Sequence, residues 1–82
     1  MKKIWEELEM TYDDWRKLAE AFYSLAHNDF KDFMALPPHL KETPAGLLCK
    51  EYMDKRDHEL VEKAGYLITR SKCWYVYLGR IM

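Results

Sequence analysis

The sequence predicts an α+β fold, with helices through the N-terminal and middle parts and a β-hairpin at the C-terminal end. Two observations carry this. Apolar residues recur at threes and fours through residues 12–34 and again through 44–64. The pattern then changes over residues 66–78 to a run rich in aromatic and β-branched side chains. A chain of 82 residues has room for one small domain only. Its expected layout is helical over 2–36, a proline-rich break over 37–43, helical over 44–64 and the hairpin over 66–79.

Each element has its own warrant. Ile4, Trp5 and Leu8 stand together among lysines and glutamates, which gives a short helix or an extension of the next one. Thr11 is placed to cap the following helix, accepting from the amide of Asp14, and Asp13 and Asp14 suit the positive end of a helix dipole. Met10 and Trp15 take the two positions of a hydrophobic staple. Trp15, Leu18, Ala19, Phe22, Leu25 and Ala26 then mark one helix face. Asn28 and Asp29 offer a second start, and Phe30, Phe33 and Met34 continue the spacing up to Pro37 and Pro38, which hold the chain extended.

Thr43 followed by Pro44 is a helix start, since proline at the first position loses no intrahelical bond. Leu48 and Tyr52, and Cys49 and Met53, are spaced by four. The charged run Asp54-Lys55-Arg56-Asp57 is either an exposed turn of helix or a junction at which Asp57 caps a new one. Leu60, Val61 and Ala64 resume the stripe, and Gly65 takes the place of a left-handed C-cap. Tyr66–Arg70 and Cys73–Leu78 read as two strands joined by Ser71-Lys72. That register sets Leu67 opposite Val76 and Thr69 opposite Trp74. Leu67, Trp74, Val76 and Leu78 then suffice to pack on the helices, and the second face carries Tyr66, Ile68, Tyr75 and Tyr77. Two readings stand for that second face: Ile4, Trp5 and Leu8 fold over it, or it is a surface for a partner.

Composition narrows the function. Apolar residues make up 49% and charged residues 33%, which is globular composition. A net charge of −1 excludes a basic nucleic-acid coat and an acidic DNA mimic. Residues 1–40 carry a net −3 and residues 41–82 a net +2, a mild dipole. The N-terminus has two lysines but no apolar stretch behind them, and no run approaches a membrane span, so a soluble cytoplasmic protein is expected. Cys49 and Cys73 are arithmetically able to pair, but a reducing compartment favours two free thiols. His27, His39, Cys49, His58 and Cys73 lack the close spacing of a structural zinc site, so no metal and no cofactor is expected. Three scattered glycines make no phosphate loop, and no nucleophile–base pair stands out, so no catalytic residue is expected.

The segment from Glu59 to Arg70, leucine and glycine followed by an aliphatic stretch ending in Thr-Arg, resembles the junction of recognition helix and first wing strand in winged-helix proteins. This resemblance implies DNA binding with Arg70 and Lys72 at a wing tip. The helix itself departs from that pattern: Lys50, Lys55, Arg56 and Lys63 alternate with Glu51, Asp54, Asp57, Glu59 and Glu62, whereas a groove-entering helix needs an acid-poor face. The leading expectation is therefore a non-catalytic protein-binding module: an inhibitor, adaptor or regulatory subunit of the kind common among phage and mobile-element proteins. Its partner is another protein, with a homodimer left open and no membrane. The contact surface expected is the outer hairpin face and its basic tip, Tyr66, Arg70, Lys72, Tyr75, Tyr77 and Arg80. Tyrosines would anchor the partner and the cations would steer it.

Overall fold

Helix α2, Tyr12–Ala26, is the element around which the others pack. The computed structural model describes residues 3–81 and forms seven helices in them: α1 (Ile4–Glu7), α2, α3 (Lys31–Met34), α4 (Pro38–Lys41), α5 (Pro44–Lys55), α6 (His58–Thr69) and α7 (Trp74–Ile81). The inward face of α2 is the one its spacing indicates. Trp15, Leu18, Ala19, Phe22 and Leu25 are buried, and Ala26 is half-buried against the same core. Thr11 Oγ1 accepts from the Asp14 amide at 3.1 Å, closing the N-terminal end as expected. Phe33, Leu36 and Leu40, from α3, the following turn and α4, extend this core, and Cys49, Val61, Ala64, Ile68, Trp74 and Leu78 complete it from the C-terminal helices.

Pro44 starts a helix as expected, whereas Pro38 does not hold the chain extended but starts a helix of its own. Pro38 opens the short α4, inside the expected break, and Pro44 opens α5. Thr43 Oγ1 accepts from the Gly46 amide at 3.1 Å and donates to the Leu40 carbonyl at 2.7 Å, so one hydroxyl ties the end of α4 to the start of α5. Gly46 is required there, because a Cβ at this position would overlap the carbonyl oxygens of Leu40 and Lys41. Asp57 caps α6 through the Glu59 amide at 3.1 Å, which settles the charged run 54–57 as a junction. Both α5 and α6 stop on an arginine in the left-handed region, Arg56 at φ 57° and Arg70 at φ 58°.

The C-terminal β-hairpin is not formed. No strand occurs among the described residues, and the protein is all-α rather than α+β. Residues 66–69 are the last turn of α6, and Trp74–Ile81 is α7. Gly65 does not end a helix, and its φ is not positive. It lies inside α6 because the indole of Trp74 rests on it, where a Cβ would overlap the ring. The link between the helices is closed by short side chains. Thr69 Oγ1 donates to the Gly65 carbonyl at 2.8 Å and accepts from the Ser71 amide at 3.2 Å, and Ser71 Oγ accepts from the Cys73 amide at 3.1 Å. Burial follows helical spacing: Trp74 and Leu78 are inside, Tyr75 and Val76 outside. Tertiary packing thus overrides the β propensity of these aromatic and branched residues. The N-terminal residues Ile4, Trp5 and Leu8 do pack on the core, with the Trp5 ring edge-on to Tyr12 at 4.8 Å and tilted against Trp15 at 5.5 Å.

Candidate functional site

An apolar concavity runs along α6. It is a shallow groove of about 710 Å³ lined by Leu48 of α5, Glu62, Lys63, Tyr66 and Leu67 of α6, and Lys72 of the α6–α7 link. Helical geometry explains why these residues meet. Lys63, Tyr66 and Leu67 stand three and four apart on α6, so they share a face. Leu67 and Leu48 are half-buried, resting on the core beneath and leaving one side of each bare. Tyr66 is 46% exposed although it adjoins the buried Gly65. Its ring therefore forms a partly exposed wall of the groove.

The charges around the groove differ in their engagement. Glu62 is held: its Oε2 accepts from Trp74 Nε1 at 2.9 Å, and its Oε1 lies 3.2 Å from His58 Nε2. Lys63 and Lys72 form no ion pair among the described residues. The held acid supports the structure, and the two ammonium groups remain available at the groove.

The six residues expected at the contact surface are distributed over more than one face. Tyr66 and Lys72 line the groove. Arg70 forms the left-handed end of α6, with its Nε 3.9 Å from Glu7 of α1. Tyr75 and Arg80 are exposed on α7, with Tyr75 at 57%. Tyr77 is half-buried against the core. A strand would place Tyr75 and Tyr77 on one side, but a helix turns them about 200° apart. The single tyrosine face of the hairpin reading has no counterpart. Four groove residues escaped the sequence reading: Leu48, Glu62, Lys63 and Leu67. The signal for them was the stripe of α6 carried past Gly65, at Lys63, Tyr66 and Leu67.

Elsewhere the described surface offers less. No three His, Cys, Asp or Glu side chains converge on a point able to hold a metal ion among the described residues. Cys49 is buried and Cys73 exposed, and both are free. Burial pushes the Cys49 thiol up to about 12. No described helix is long and apolar enough to cross a membrane. The wing implied by the Glu59–Arg70 resemblance is absent, since those residues finish α6.

No protein-family model matches the chain, and neither the curated proteins nor the solved structures contain a significant match to it. The expectation of a phage-type inhibitor rested on chain size and on the hairpin surface. The hairpin is absent among the described residues, and nothing in the comparisons supports that narrower role.

Proposed function

We propose that this protein is a non-catalytic protein-binding module whose contact surface is the α6 groove. The observation that carries the reading is the partly exposed apolar wall of Tyr66, Leu67 and Leu48 beside two lysines that form no ion pair among the described residues. Tyrosine and leucine in a groove give a partner large apolar area at low entropic cost, while rim lysines raise the rate of encounter. The groove is too open to enclose a small substrate, so its geometry favours another macromolecule over a metabolite. Nucleic acid is the weaker reading. Phosphate tracking needs several aligned cations, and α6 exposes Glu59 and Glu62 beside Lys63.

The test is affinity capture with the full chain, with and without nuclease, compared with Leu48→Lys and Tyr66→Ala. Far-UV circular dichroism confirms that each variant is folded. A stoichiometric protein retained after nuclease treatment and lost with both variants agrees with the reading. Capture that disappears with nuclease, or that both folded variants retain, removes the groove as a protein-binding surface.

A further inference from the structure

Resting on the protein-binding reading of the same groove, we infer that the partner is a second copy of this chain, seated with its α6 antiparallel to α6 of the first. The exposed side of α6 selects this occupant. Glu59, Lys63, Tyr66 and the cap residue Arg70 are all exposed, at intervals of four, three and four. Counted at 100° per residue they fall within about 60° of one another, so they form one stripe about 17 Å long. The order of groups along this stripe answers itself when reversed. An antiparallel copy centred between Ala64 and Gly65 sets Glu59 opposite Arg70 of the second copy, and Lys63 opposite Tyr66 of the second copy. Each contact then occurs twice, as a two-fold axis requires. A parallel copy would set each charge against its own like.

The charges concerned are open to a second copy. Glu59 and Lys63 form no ion pair among the described residues. Arg70 is only loosely paired, its Nε 3.9 Å from Glu7 with the two side chains 41% and 47% exposed, and its guanidinium has further N–H groups to offer. Glu62 accepts from the neutral indole of Trp74 and keeps its carboxylate charge. It joins Glu59 in making the first half of α6 acidic, while Arg70 and Lys72 make its far end basic. Antiparallel seating therefore brings the acidic half of each α6 to the basic end of the other. At the centre the two Lys63 side chains are staggered by three residues, about 4.5 Å along the axis, which sets each beside the Tyr66 ring of the other copy. The lysine methylenes and the groove residues Leu48 and Leu67 add apolar area around that ring. A foreign partner has no need of a stripe that matches its own reverse, whereas a two-fold copy does. One helix face buries less than the roughly 1,200–2,000 Å² of a stable interface, so the dimer is a reversible one.

The experiment follows the mass of the full chain by sedimentation equilibrium from about 10 μM to about 1 mM. A reducing buffer keeps the exposed Cys73 from cross-linking two copies. The mass should rise from one chain toward two across this range. Glu59→Arg and Arg70→Glu, each shown to be folded by far-UV circular dichroism, should each weaken self-association roughly tenfold, because two contacts per dimer become repulsive. An equimolar mixture of the two variants should associate as the wild type does, since in the mixed dimer both contacts again join opposite charges. A mass of one chain throughout, single variants that associate like the wild type, or a mixture no stronger than its components overturns the inference. Its failure is distinguishable from failure of the wider reading. A chain that stays monomeric yet retains a captured protein, lost with Leu48→Lys and Tyr66→Ala, leaves protein binding standing and removes the second copy. A monomeric chain whose capture disappears with nuclease removes both.

Discussion

Replacing Gly65 by alanine should destabilise the protein, although the same change inside a helix ordinarily stabilises it by about 1 kcal/mol. The added methyl would lie within 2.7 Å of Trp74 Cδ2, inside the indole. That ring has little room to retreat. It is 6% exposed, its Nε1 donates to Glu62 at 2.9 Å, and it stands edge-on to Phe22 with centroids 4.9 Å apart. Overpacking a fixed core site costs about 1–3 kcal/mol, and partial expulsion of the ring forfeits some of its burial as well. Set against the propensity gain, the net expected loss is about 1 kcal/mol. Urea unfolding followed by circular dichroism, in a buffer containing sucrose to keep weak variants folded, reads this directly. The decisive comparison is the Trp74→Ala background. With the indole gone the methyl meets no ring, and Gly65→Ala should then stabilise by about 1 kcal/mol. An equal loss in both backgrounds would refute the reasoning, because it would mean that the glycine is needed for its backbone angle and that α6 ends there.

Two further outcomes follow from the packing. Trp15→Phe removes the indole N–H that donates to the Ile68 carbonyl at 2.9 Å, in a buried position near the end of α6 where carbonyls lack intrahelical partners. A loss of about 1–3 kcal/mol in urea unfolding is expected, and a loss below about 0.5 kcal/mol would show the bond to be dispensable. The two thiols should separate kinetically: Cys73 reacts with a disulfide reagent at once in the native protein, and Cys49 only on opening of the core. The Cys49 thiol is raised by burial from 9.0 to about 12, so its neutral form is favoured in the folded state. Its contribution is therefore fully present below pH 9.0 and is lost progressively as pH rises toward about 12. Unfolding midpoints of wild type and Cys49→Ala measured across that range should converge as pH rises.

The helices up to Ala64, the short α4 apart, were legible because their signals are local and chemically specific. Thr11, Thr43 and Asp57 cap helices at the amides their positions indicate, and the apolar face of α2 is the buried one. The C-terminal end was not legible because two local signals point the wrong way. Glycine normally marks a helix end, yet here Gly65 is fixed by a long-range contact with Trp74, which no local pattern reveals. Conversely the helices stop on Arg56 and Arg70, residues that carry no stop signal. Arg56 is held by its place 4.6 Å above the Phe30 ring, a contact across the fold. The short run from Trp74 to Leu78 fits either period, and only burial of Trp74 and Leu78 decides between them. The groove followed the same fate. Tyr66 and Lys72 were legible as exposed aromatic and basic residues, but Leu48 and Leu67 join them only when α6 is continued past its glycine.

The order of packing has a kinetic consequence. Most contacts between elements join neighbours along the chain: α1 with α2, α2 with α3, α4 with α5, α5 with α6 and α6 with α7. Helix α2 alone makes the substantial distant contacts, with α5, α6 and α7. Low sequence separation means little loop entropy to lose before a contact is rewarded, and helical domains of this topology fold in microseconds to milliseconds. The α5–α6 pair can assemble on its own time, and docking of α2 is the step that joins the two ends of the chain. A substitution at Trp15 should therefore slow folding, whereas one at Leu48, on the rim of that pair, should act mainly on the finished surface.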